Sequence, residues 1–127
     1  MRRVAKQIAA AAIACALLVA GGATRGANNP ATRANEMAYN TAIKCFVAYG
    51  TARGNSHDVG DLRQASAYEA SARSAYDVAE RLADILGYPK SKVDQDFALA
   101  QAQELPRFVQ DRTYLARTIT TCGLAGL

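Results

Sequence analysis

The run from Asp61 to Gly87 constrains this chain more than any other stretch, and the rest of the chain is expected to organise around it. Its apolar residues, Ala65, Tyr68, Ala72, Ala75, Ala79, Leu82 and Leu86, recur at alternating steps of three and four. That spacing keeps one stripe on one face of an α-helix, whereas the period of a strand would scatter the same residues over both faces. Charges take the opposite side. Glu69 precedes Arg73 by four residues, and Asp77 precedes Arg81 likewise, the order that favours pairing along a helix. Gly87 closes the run, and Tyr88-Pro89 prevents a restart before Pro89. The stripe is mostly alanine. Burial is worth roughly 25 cal/mol per Å², so each alanine contributes little, but small side chains let a second helix come close. Such a stripe packs within a small bundle or forms a seam to a second chain, and packing within the bundle is the expectation.

Three further helices are expected beside it. The first spans about residues 32–53, capped by Thr32 or Asn35. Its apolar face takes Tyr39, Ile43, Phe46 and Gly50, with Ala38, Ala42, Cys45 and Tyr49 alongside. Residues 53–60, rich in Gly, Asn and Ser, read as a turn-rich connector, after which Asp58 or Asp61 caps the long helix. A third helix, about 92–105, opens on Ser91 and Asp94 as a variant capping box and turns Val93, Phe97, Leu99 and Ala100 inward. Pro106 breaks it or starts a one-turn piece to Gln110. Asp111 caps a fourth helix, about 112–121, which carries Leu115, Ile119 and Cys122 on one face and ends at Gly123. No strand run and no full repeat occur. The expected fold class is all-α: a small antiparallel bundle of about four helices.

The chain divides into three parts. Residues 1–23 read as a secretory signal peptide, with Arg2, Arg3 and Lys6 before an uncharged Ala/Leu/Val/Ile run from Ile8 to Ala20, and Gly21-Gly22-Ala23 at the cleavage site. The composition is of bacterial type, and the protein is expected in the periplasm or outside the cell, with retention as an uncleaved anchor the alternative. The apolar run is short for a membrane span of about 20 residues, so no stable membrane insertion is expected after cleavage. Residues 24–31 form a flexible lead-in and residues 32–127 a single helical domain. Three of the 15 basic residues and none of the 11 acidic ones precede Ala23, which leaves 12 against 11 and a net charge of +1. The basic balance therefore belongs to the signal, and a nucleic-acid partner is not expected.

Signal removal takes Cys15 away and leaves Cys45 and Cys122, each at the edge of an apolar helical face. An exported chain with an even cysteine count pairs them, so a Cys45–Cys122 disulfide is expected to staple the first helix to the end of the fourth. No Cys-x-x-Cys supports a redox role, and one histidine without a Cys/His cluster supports no metal site. His57 beside Asp58 lies in the connector and has no spacing that makes a catalytic base of it. Asp94 and Asp96 stand two apart and cannot share a helix face. Neither catalytic residues nor a cofactor are expected. The six tyrosines supply core and rim packing or a partner-binding surface, and Tyr39, Tyr49 and Tyr76, with His57, are the candidates for the latter.

Two local resemblances accompany this reading. Gly60 to Ala72 is similar to the second helix of a tetratricopeptide unit, but no second copy lies 34 residues away. The stretch Ala38-Tyr-Asn-Thr-Ala-Ile-Lys-Cys45-Phe-Val-Ala-Tyr-Gly50 resembles the cysteine-bearing first helix of small periplasmic immunity proteins that block peptidoglycan amidases. That resemblance implies an inhibitor of a cell-wall enzyme, although the family's toxin-binding loop has no clear counterpart. The leading functional expectation is broader: a non-catalytic interaction module whose partner is another envelope protein or a second copy. A carrier of an apolar small molecule within the bundle is the alternative.

Overall fold

The computed structural model describes residues 29–127, and the expected signal peptide and residues 24–28 of the lead-in lie outside this range. Four α-helices follow one another: α1 (Pro30–Asp58), α2 (Leu62–Leu86), α3 (Lys90–Gln110) and α4 (Arg112–Leu124). No strand occurs among the described residues. Asn35–Leu127 make one compact unit, and the described part of the preceding unit is Asn29 and the first turn of α1.

The helix boundaries follow from local chemistry. Asn29 caps α1 by accepting the Ala31 N–H at 2.9 Å, and Pro30 follows, where a missing N–H costs nothing. The helix therefore starts before the expected Thr32 or Asn35, and residues 30–31 are not lead-in. At its other end α1 runs through Gly54, Asn55, Ser56 and His57 to Asp58, so most of the expected connector is helical. Glycine and asparagine weaken a helix by less than about 1 kcal/mol each and do not stop one. Only Gly60, with φ +78°, adopts the left-handed backbone that turns the chain.

Asp61 caps α2 through the Gln64 N–H at 3.0 Å, and Gly87 ends it in the left-handed conformation, both as expected. Pro89, not Ser91, occupies the cap position of α3, where the Val93 N–H reaches its carbonyl at 3.2 Å. Pro106 does not break α3, which continues for one turn and places Phe108 in the core, fully buried. Asp111 caps α4 through the Tyr114 N–H at 2.9 Å. Gly123 does not end α4; the chain turns at Gly126, where φ is +80°.

Contacts give the direction of each helix. Tyr39, Ala42 and Ile43 pack with Ala79 and Ala83, whereas Cys45 and Tyr49 pack with Ala72 and Ala75, so α2 runs antiparallel to α1. Tyr39 meets Asp96, Lys44 meets Glu104, and Ala48 groups with Phe108, so α3 runs parallel to α1. Val47 and Ala48 group with Leu115 while Cys45 meets Cys122, so α4 runs back again. The result is the all-α, up-and-down bundle of four helices.

The buried residues form three groups, and α1 contributes to every one. The first joins α1 to α2 and Val93 of α3. The second joins α1, α2 and Cys122 of α4. The third joins Val47 and Ala48 to Phe108 and Leu115. The helix at the centre is thus α1 rather than the expected α2. The reason lies in the side chains. Ala42, Ile43, Cys45, Val47, Ala48 and Tyr49 bury residues around most of the α1 circumference, which suits a helix enclosed by three others. The stripe of α2 is narrow and flanked by charge, and its alanines at 72, 75 and 79 seat that helix against α1, within the chain. Gly50, Ala38 and Leu99, expected inward, are exposed.

Cys45 and Cys122 form the expected disulfide, with Cα atoms 5.8 Å apart and both residues 1% exposed. Closing a loop across 77 positions is worth about 4–5 kcal/mol in the chain-entropy account.

Candidate functional site

The four residues proposed as a partner surface separate in the fold. Tyr39 is 1% exposed, its ring edge-on to Tyr88 at 5.2 Å and its hydroxyl donating to Asp96 Oδ2 at 2.8 Å. Lys92 Nζ donates to the same oxygen at 2.8 Å and lies 4.5 Å from the centre of the Tyr88 ring. Burial, and then the Asp96 carboxylate, push the Tyr39 hydroxyl well above the usual tyrosine range. Tyr49 is buried too, and its hydroxyl donates to the Leu127 carbonyl at 2.8 Å. Burial raises its proton affinity. Both side chains are therefore internal fastenings, because a phenol ring on the closed face of α1 can keep its hydroxyl only by finding a partner inside.

Tyr76 is half-buried beside Phe46 and Phe97, at centroid distances of 5.8 and 5.1 Å. Glu80 is the main cause that raises its hydroxyl's proton affinity. His57 is exposed in the last turn of α1. The structure does not bring these four residues to one surface. Among the described residues no group of three or more His, Cys, Asp or Glu side chains is placed to hold a metal ion.

A second polar junction was not foreseen. Glu104 accepts the Tyr114 hydroxyl at 2.9 Å and has Arg107 at 3.7 Å and Lys44 at 3.9 Å. The Tyr114 ring stacks on Phe108 with centroids 5.1 Å apart, and the Arg107 guanidinium lies over it at 4.2 Å. Three helices meet there. On α2 the Glu69–Arg73 pair forms at 3.1 Å, whereas Arg81 donates to the Asp77 backbone carbonyl instead of its carboxylate.

Two surface features remain. The first is a ridge along α3. Ala98, Leu99, Ala102, Leu105, Pro106 and Val109 are all exposed, and their spacing gathers them on one side of the helix. Leu99 is 56% and Val109 65% exposed. Eleven residues of rise make the ridge roughly 16 Å long. Gln101 borders it on one side, and Gln103, the exposed Arg107 and Gln110 on the other. The expectation of an inward Leu99 missed this, although the recurrence of apolar residues at 98, 102, 105 and 109 was readable as a second stripe on the same helix.

The second feature is a cleft of about 520 Å³ between the last turns of α1, the start of α4 and Tyr68 of α2. Ala52, Leu115 and Ile119 form its floor, and Val59 and Ala116 its apolar walls. Asn55, Ser56, Thr120 and Arg112 supply polar groups at its margin. The helical extension of α1 through residue 58 supplies Asn55 and Ser56 to its lining.

Among the described residues no helix is long and apolar enough to cross a membrane. Comparison with protein-family models, with characterised proteins and with solved structures returns no match for this chain.

Proposed function

We propose that the protein is an exported, non-catalytic interaction module that binds another envelope protein through the outer face of α3. The observation that carries this reading is the ridge of Leu99, Leu105 and Val109 with Ala98, Ala102 and Pro106 between them. Exposed apolar side chains scattered singly need no explanation, but a contiguous row along one helix is a surface that gains by being covered. Glutamines make up most of the border, and its one charge, Arg107, is engaged by the Tyr114 ring and Glu104, so the fitting partner is an amphipathic helix with an apolar face and largely neutral flanks, and the complex should depend little on salt. Export is supported by the N-terminal sequence and by the disulfide, which suits an oxidising compartment. An inhibitor of a cell-wall enzyme is one form of this reading.

The test is affinity capture from the native envelope with the wild-type protein and with a L99S/V109S variant, both analysed by quantitative mass spectrometry. A stoichiometric partner retained in high salt and lost at least tenfold with the variant is the expected result. Equal recovery by both proteins, or no partner at all, sinks the proposal.

The second reading, a small-molecule carrier, is favoured by one observation, the cleft beside Tyr68. It lies at the surface of the bundle and not inside it.

A further inference from the structure

We propose that the cleft between α1, α4 and Tyr68 binds a small amphiphilic monocarboxylate, an aliphatic tail ending in one anionic head. This reading narrows the carrier alternative to a chemical class and is independent of the α3 ridge.

Three observations carry it. First, the size suits a small ligand: about 520 Å³ falls within the range of about 300–1,000 Å³ found for small-molecule sites. Second, the floor and the margin differ in chemistry. Ala52 and Leu115 at the bottom are buried, Ile119 is half-buried, and the strongly exposed Val59 stands at the wall. A tail lying there would cover apolar surface that the fold leaves open to water.

Third, Arg112 is the one ionised side chain in the lining, and no carboxylate of the described residues lies within ion-pair distance of it. Its neighbour Asp111 is occupied in capping the Tyr114 N–H. A guanidinium offers two parallel N–H donors to a carboxylate, which fixes the head as well as attracting it. The Tyr68 hydroxyl and the side chains of Asn55 and Ser56 make no hydrogen bond within the described residues, so they remain free to complete the shell of the head group. Thr120 differs, because its hydroxyl already donates to the Ala116 carbonyl at 3.0 Å.

The experiment uses the protein recovered from its native compartment, labelled with ¹⁵N and titrated with decanoate. Decanol and decyltrimethylammonium serve as neutral and cationic controls. Decanoate should shift the amides of Ser56, Val59, Ala116 and Ile119, and bind at least tenfold more tightly than either control. Arg112→Gln should weaken decanoate about tenfold and leave decanol unchanged. Ala116→Phe, at an exposed position of α4, should fill the cleft and abolish the shifts from both. Shifts confined to the α3 ridge, equal binding of the three probes, or unchanged affinity in Arg112→Gln would each overturn the proposal. Failure at the cleft leaves capture through α3 standing, and loss of capture by L99S/V109S leaves the cleft intact, so the two readings fail separately.

Discussion

The two halves of α1 are fastened by different chemistry. Around Tyr39 the bond is polar and reversible: a phenol and an ammonium both donate to Oδ2 of the Asp96 carboxylate, with the Tyr88 ring beneath the cation. Around Cys45 it is covalent, a disulfide to α4 enclosed by Tyr49, Ala72 and Ala75. The alanine stripe of α2 serves both ends and buries little area at either. A bundle with small core side chains needs fastening beyond burial, and the comparison shows two solutions on one helix. The covalent one acts chiefly by restricting the unfolded chain. The polar one acts in the folded state, where three groups must be held together.

Breaking the covalent end should have the largest effect. A C45A/C122A variant should lose about 4–5 kcal/mol in urea unfolding, a large share of what a domain of this size possesses. A loss below about 1 kcal/mol would mean that the reduced, unfolded chain keeps enough structure for loop closure to restrict it little. Next comes Tyr39→Phe, which removes the phenol's donor but leaves Asp96 with Lys92. A loss of about 1.5–3 kcal/mol is expected from a hydrogen bond to a charged acceptor, again read by urea unfolding.

The same residue gives the polar end a pH signature that the disulfide lacks. The folded-state proton affinity of Tyr39 lies above its unfolded value of 10.0. Its contribution is thus complete below about pH 10 and falls as pH rises further, because the unfolded chain then releases a proton that the folded one retains. Tyr39→Phe should make the decline of stability above about pH 10 less steep, with the raised Tyr49 and Tyr76 supplying the remainder, whereas C45A/C122A should leave its slope unchanged. The smallest effect is expected from Lys92→Met. Its ammonium is partly exposed and its ion pair lies within one helix, so the loss should be about 0.2–1 kcal/mol and should shrink in high salt. A larger loss would transfer most of the anchor's strength from the phenol to the ammonium.

Features set by neighbouring residues were readable in advance. Asp61 and Gly87 bound α2 where local capping chemistry puts them, and Asp111 caps α4 as its position suggested. The disulfide followed from the cysteine count and the expectation of export. Features decided by tertiary contact were not. Phe108 lies beyond a proline, and only the space between α1 and α4 explains why the helix continues to deliver it to the core. Tyr39 and Tyr49 read either as core and rim packing or as a partner surface, and the choice is made by Asp96 and the Leu127 carbonyl, both distant in sequence, which satisfy their hydroxyls inside the fold. Of the candidate sites, the α3 ridge was written in its own spacing but masked by the inward stripe of the same helix. The cleft depended on where α1 stops, and glycine and asparagine in residues 53–60 pointed to an earlier end than the one found.

The place of α1 in all three buried groups bears on how the molecule opens. A bundle built from two independent hairpins can lose one and keep the other, and its amides then exchange with solvent in two classes. Here each group of buried residues includes a stretch of α1. Releasing that helix uncovers all of them at once, and neither α2, α3 nor α4 retains a finished core without it. The most protected amides of the four helices should therefore exchange as one set, at the rate and free energy of global unfolding, and only the exposed tail of α1 beyond Ala52 should exchange earlier.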